Sequence, residues 1–206
     1  MGTLAQSDAV LGRLIAAYPG VHIARRGDPF TTLARAIVGQ QISVKAAQAV
    51  WNRFAKAARG SADGEALAVR LDAGRVSRMH VGTLRRCGFS QSKALYVRDL
   101  ARHFDTGSLD PTHWPGMEDE ALIEALVNVK GIGRWTAEMF LMFHELRADV
   151  LPLGDVGLQN AMAQHYNGGA KMAPAAMRAL AAAWQPYRSV ATWYLWRSLD
   201  PIPVEY

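Results

Sequence analysis

Two short stretches hold residue types whose spacing could do chemistry. Lys130-Gly131-Ile132-Gly133-Arg134 lies between two helical patterns, and Asp155 follows Pro152-Leu153-Gly154 and precedes a third. Glycines at 131 and 133 allow the main chain to turn with positive φ and let a ligand approach without meeting a Cβ. Amides opening the helix after such a turn point outward, and together with the helix dipole they suit an anion such as a phosphate. Lys130 and Arg134 add charge that would position a nucleic acid without reading its sequence. A fixed carboxylate at 155 could stabilise a developing cation or draw in a water. Taken alone, each feature also has an ordinary structural reading: a tight helix–helix turn with a glycine C-cap, and an acid capping a helix N-terminus.

Helical periodicity supplies the elements that position these residues. Residues 7–18 put Val10, Leu11, Leu14 and Ile15 on one face, with Ser7 as the expected N-cap and Pro19-Gly20 as the stop. Asp28-Pro29 opens a second helix carrying Phe30, Leu33, Ile37 and Val38, which Gly39 ends or bends. Ser43 caps a long helix with Val44, Ala47, Val50, Trp51 and Phe54 facing inward. A weak helix is expected over 65–71. Ser90 opens another, with Leu95, Val97, Leu100, Ala101 and Phe104 as its apolar face. Further helices are expected over 118–127, 135–146, 155–166 and 175–184, and from Pro186 onward. The 135–146 segment is mostly apolar and should lie deep. No run alternates with period two, so the fold class is all-α.

Bulk composition narrows the chemistry. The chain has 206 residues, half of them hydrophobic and a fifth charged, with a formal net charge of +5. A mild basic excess suits a polyanionic partner. Cys87 is the sole cysteine, which excludes an intramolecular disulfide, a cysteine-rich zinc site and a four-thiolate iron–sulfur cluster within these residues. His80, His103, His113 and His144 lack metal-ligand spacing, and Asp149 reads as solvated. No stretch approaches the roughly 18 apolar residues of a membrane span, so a soluble cytoplasmic protein without membrane contact is expected.

The pattern L-x-x-x-x-G-I-G-x-x-T-A, with Leu126, Gly131, Ile132, Gly133, Thr136 and Ala137, resembles the helix–hairpin–helix motif of DNA repair glycosylases. The Leu151-Pro152-Leu153-Gly154-Asp155 segment, about twenty residues on, resembles the Gly/Pro-rich loop and aspartate that complete the superfamily signature. Within that superfamily the chain resembles the DNA-3-methyladenine glycosylase II family. The segments that carry this are AIVGQQISVKAA at 36–47, VKGIGRWTAEMF at 129–140, LPLGDVGLQNAM at 151–162 and WQPYRSVATWYLW at 184–196. Some members carry an additional N-terminal β-domain; none is expected in these 206 residues.

The resemblance implies one glycosylase unit of two helical subdomains with the active-site cleft between them. One is expected over 28–115 with a wedge loop, the other over 116–206 plus 1–27 with the hairpin and the acid. Asp155 falls on the catalytic aspartate. Trp135 and Trp196 align with aromatic pocket walls, where an electron-rich face would attract a cationic alkylated purine by about 0.5–2 kcal/mol. Tyr187 and Tyr194 are weaker pocket candidates. Met139 stands where an aromatic pocket residue is described in the family, which bears on the breadth of substrates. Lys130, Gly131, Ile132, Gly133, Arg134 and Thr136 form the DNA-binding hairpin. Gln41, beside Gln40, sits in the wedge position, where an amide could fill the gap left by a flipped base.

At the Trp135 position, strand-cutting relatives carry a lysine that attacks the sugar as an amine. The expected activity is therefore monofunctional: hydrolytic release of 3-methyladenine and 7-methylguanine from double-stranded DNA, without a lyase step. The chain is expected to act as a bacterial monomer at the nucleoid. No organic cofactor is expected; in the family a monovalent cation can sit on the hairpin carbonyls. A non-catalytic DNA-binding protein, and a glycosylase for mismatched or oxidised bases, are the alternatives. The retained Asp155 argues against the first, and Trp135 in place of lysine against the second.

Overall fold

Side-chain caps begin most of the helices, and the computed structural model, described for residues 2–19, 27–59 and 70–199, shows which residue does so in each case. Every regular element among these residues is helical, in agreement with the all-α expectation. By contacts the chain divides into two units, Met1–Arg25 with Leu141–Tyr206, and Arg26–Phe140.

The first unit contains α1 (Gly2–Ser7), α2 (Ala9–Ala17), α10 (Val156–Tyr166), α11 (Pro174–Ala181) and α12 (Arg188–Leu199). Ser7 ends α1 instead of capping the next helix. Asp8 caps α2, its Oδ1 accepting from the amides of Val10 and Leu11 at 2.8 and 3.0 Å. Asp8 Oδ2 also accepts from the Tyr166 hydroxyl and the Trp184 indole, both at 2.9 Å. One carboxylate thus ties the N-terminal helices to the C-terminal ones. The core it borders comprises Leu4, Leu11, Leu158, Met162, Met177, Trp184, Tyr194 and Leu195.

The second unit contains α3 (Pro29–Gly39), α4 (Val44–Arg59), α5 (Ala73–Ser77), α6 (Val81–Arg86), α7 (Gln91–Asp105) and α8 (Asp119–Val127). α9 (Arg134–Phe143) begins in it, and the division falls inside that helix. Asp28 and Ser90 cap α3 and α7 as expected, and the Ser43 hydroxyl accepts from Ala46 at the start of α4. Phe30, Phe104, Trp114 and Phe140 form a chain of ring contacts with centroids 5.4, 6.1 and 5.6 Å apart.

Several expectations are corrected. The unit boundary lies at 140/141, not 115/116, so the hairpin clusters with 26–140 and not with the segment bearing Asp155. The reason is the set of bonds from α3 and α7 to the hairpin described below. Val44 is 85% exposed and Leu95 45% exposed, although helical spacing assigned both to buried faces. Val44 opens its helix, where there is no preceding turn to pack beneath. α9 ends at Phe143, three residues short, and Leu146 adopts φ +58° beyond it. The last helix starts at Arg188, two residues after Pro186. The weak helix over 65–71 lies outside the described residues except for its final positions.

Candidate active site and nucleic-acid interface

The acid is built from a turn and a helix start. The Leu153 amide donates to the Leu151 carbonyl and the Asp155 amide to the Pro152 carbonyl, both at 2.9 Å, closing the Pro-Leu-Gly turn. The Gln159 side chain reaches back to the Leu153 carbonyl at 2.8 Å. Asp155 then caps α10, its Oδ1 accepting from the Leu158 amide at 2.6 Å. The same oxygen accepts from the Trp196 indole Nε1 at 2.7 Å. With Oδ1 held from two sides, the plane of the carboxylate is fixed, and the position of Oδ2 with it. Capping and a catalytic posture are therefore compatible in one side chain.

Trp196 is itself held. Its ring stacks on Phe143, with centroids 5.9 Å apart and planes at 21°. Gly157, in the first turn of α10, is what lets the indole come close. A Cβ there would lie 3.0 Å from Trp196 Cδ1 and Nε1, and 3.1 Å from Asp155 Oδ1. The sequence signal for Gly157 was a glycine inside a helical pattern, a position where the residue costs stability unless something approaches closely. Replacing it by alanine separates the two demands. Helix propensity favours the change by roughly 0.5–1 kcal/mol and offsets part of the about 1–3 kcal/mol of crowding, so the melting temperature should fall by only a few degrees. The displaced indole and carboxylate should lower any Asp155-dependent rate by about tenfold or more, since small misplacements are costly in catalysis. Thermal melting and single-turnover kinetics on one preparation check both halves.

Other sequence candidates in this unit separate. Tyr194 is 1% exposed, packed edge-on to Trp193 in the core, so it is a core ring and not an accessible pocket wall. Tyr187 is 38% exposed. Asp149 is no solvated acid: it is paired with Arg188, whose Nε and Nη2 donate at 2.8 and 2.9 Å.

The hairpin is built in the other unit. Gly131 has φ +86°, and a Cβ on it would fall 2.3 Å from Cδ2 of the Tyr96 ring. Gly133 has the opposite character: exposed, with nothing within 4 Å of a built Cβ. One glycine makes the turn and the other leaves the main chain open to a ligand. The Lys130 amide donates to Asp99 at 3.0 Å and the Ile132 amide to the Val129 carbonyl at 3.1 Å. Approach of an anion is therefore expected at Gly133 and the first turn of α9, not at the tip amides. The side chains of Ile132 and Thr136 are buried and anchor the hairpin; they are not DNA-contacting surface.

Arg134 also departs from expectation. Its guanidinium makes a two-pronged pair with Glu120 at 2.6 and 2.7 Å and a further bond to Glu138 at 3.0 Å. These bonds hold the Glu120 carboxyl below the ordinary glutamate range and raise the arginine further still. With Glu120 and Glu138 both on its guanidinium, Arg134 fastens α8 to α9 instead of standing ready for a phosphate. Trp135, next in sequence, is 43% exposed, whereas Met139 on the same helix is buried.

Gln40 and Gln41 have different jobs. Gln40 turns inward, its Nε2 donating to the Gly131 carbonyl at 2.9 Å, so it is a fastening and not a wedge. Gln41 is exposed, with φ +58°. Among the described residues no group of three or more His, Cys, Asp or Glu could hold a metal ion, and no helix is long and apolar enough to cross a membrane.

An all-α chain with a glycine hairpin of this geometry and a fixed acid about twenty residues on is of the helix–hairpin–helix class. Residues 34–186 match the model of the HhH-GPD superfamily of base excision DNA repair proteins, and the chain belongs to that superfamily. A Bacillus subtilis relative is 33% identical over 83% of the chain, which spans 59% of that relative's length. A crystal structure of DNA-3-methyladenine glycosidase from Bacillus halodurans is similar with a TM-score of 0.85 and 35% identity, covering 96% of this chain and 88% of that one. The 3-methyladenine DNA glycosylase of Schizosaccharomyces pombe in complex with abasic DNA is similar with a TM-score of 0.77 and 28% identity, covering 98% of each chain.

Proposed function

We propose that this protein is a monofunctional DNA glycosylase that flips alkylated purines out of double-stranded DNA and hydrolyses their N-glycosidic bond, with 3-methyladenine and 7-methylguanine as substrates. The observation that carries this reading is the Asp155 carboxylate, held on one oxygen by the Trp196 indole and the Leu158 amide in a chain of this superfamily. The names of the two solved relatives, one of them on abasic DNA, support it.

The chemistry follows from charge. A purine alkylated at N3 or N7 carries positive charge and departs as a neutral base, so the leaving group needs no proton from the enzyme. As the bond to the anomeric carbon breaks, positive charge grows on the sugar, and a fixed carboxylate stabilises it electrostatically. Water then bonds to the anomeric carbon and gives up a proton, leaving an abasic site and the free base. Trp135, 43% exposed, offers a cationic base an electron-rich indole for stacking. The main chain at Gly133 and the Lys130 ammonium grip the phosphates, and Gln41 fills the vacated space in the duplex.

With tryptophan at 135, no amine is placed there to attack the sugar, so the strand stays intact. Borohydride added during turnover is expected to trap no protein–DNA adduct, and nicks should appear only after alkali; a trapped adduct contradicts the monofunctional assignment. A panel of lesion duplexes tests the substrate class, with alkylated purines expected to be released and 8-oxoguanine or mismatched bases retained. Release confined to the latter would overturn the assignment. The enzyme works as a monomer in this reading and needs no organic cofactor. A monovalent cation on the hairpin carbonyls is a separate proposal. Neutral carbonyl oxygens suit such an ion, although those of Val129 and Gly131 already accept hydrogen bonds from Ile132 and Gln40.

A further inference from the structure

Lys93 is badly placed for its own helix. The Ser90 hydroxyl caps α7 by accepting from the Lys93 amide at 3.2 Å, which puts Lys93 in the first turn, where the helix dipole disfavours a cation. Its ammonium turns instead to the far end of α3, donating to the Val38 carbonyl at 2.7 Å and to the Gln40 carbonyl. These are the carbonyls that a helix end leaves without partners, at the negative end of the α3 dipole. Burial against them lowers the Lys93 pKa from its ordinary value.

Gln40 continues the line through its side-chain bond to the Gly131 carbonyl. Gly131 lies under Tyr96, which α7 carries three residues after Lys93. One helix therefore braces both the turn after α3 and the hairpin, and Gln40 joins the two. The next residue, Gln41, is bare and held in a left-handed conformation that glutamine does not favour. A turn fastened at its base and exposed at its apex is suited to being pushed into a duplex.

We propose that Gln40 and Lys93 are positioning residues for the plug. They fix the 40–43 turn to the hairpin so that Gln41 is presented in one set relation to the main chain that grips the DNA backbone. This rests on the DNA-lesion reading above. Filling the gap and gripping the phosphates then become one event, and loosening either bond lets the plug move independently of the grip.

The test uses the full chain and two labelled duplexes, one intact and one carrying a tetrahydrofuran abasic analogue. The readout is the ratio of the two affinities, which a loss of general stability does not move. Wild type should favour the abasic duplex, and Gln41→Ala should abolish most of that preference. Gln40→Glu keeps the size of the side chain but removes its donor, and Lys93→Met removes the ammonium. Each should lower the ratio by about three- to tenfold, the range of one hydrogen bond. A ratio unchanged in both variants while Gln41→Ala lowers it overturns the positioning role, as does an equal loss on both duplexes. A wild-type protein with no preference refutes the lesion-binding reading itself, and the positioning role with it.

Discussion

Replacing Asp155 by asparagine is expected to slow base release by about 100- to 1,000-fold while leaving the fold intact. The magnitude is that of removing one preorganised electrostatic contact from a water-excluded transition state. The fold survives because asparagine caps helices as well as aspartate does, so the bond from the Leu158 amide at the start of α10 is kept. The amide oxygen of the new side chain can also accept from the Trp196 indole. The negative charge is what asparagine removes. Affinity for an abasic duplex should therefore stay within a few-fold of wild type, and the melting temperature within a few degrees. A large fall in melting temperature would mean that Asp155 is mainly a structural cap, and the slowed rate would then say nothing about chemistry.

The second large effect is on stability, at Gly131→Ala. Gly131 has φ +86°, and a left-handed conformation costs a residue with a Cβ about 1–2 kcal/mol. The added methyl group would also lie within the Tyr96 ring, at 2.3 Å from Cδ2, so the ring must move, at about 1–3 kcal/mol for an overpacked site. A loss of about 3 kcal/mol lowers the melting temperature of a chain this size by roughly 6–12 °C. In a Tyr96→Ala background the ring is gone and only Tyr96 Cβ, 2.9 Å from the added methyl, remains, so the same substitution should cost clearly less. Equal losses in the two backgrounds would show that the ring is not what excludes the side chain.

What could be read from the chain alone followed the distance over which each feature is decided. A glycine turn and a capped helix are settled within about four residues, so the hairpin, the Asp155 cap and the Ser90 and Asp28 caps were legible. Local pattern also fixed the all-α class. The Trp196–Asp155 bond joins residues 41 apart, and no periodicity announces it; motif likeness pointed to an aromatic wall, and the hydrogen-bonding function emerged only with the fold. Gln40 and Gln41 are identical in sequence terms, yet one lies against the Gly131 carbonyl and the other stands free of that contact, because the backbone reverses between them. Arg134 looked like a phosphate ligand until Glu120, fourteen residues earlier, was found on its guanidinium. The misplaced boundary at 115/116 has the same origin. No local pattern announces that Trp114 packs edge-on against Phe140, a contact that keeps the residues on both sides of 115 in one unit.

The measurement closest to the central claim is single-turnover release of labelled 3-methyladenine from methylated duplex DNA, run side by side on wild type and Asp155→Asn with abasic-duplex affinity measured on the same preparations. Wild type should release the free base and leave the strand uncut until alkali is added, while the variant binds the abasic duplex comparably and releases base about 100- to 1,000-fold more slowly. A wild-type protein that binds the abasic duplex but releases no base, or a variant as fast as wild type, would contradict the account.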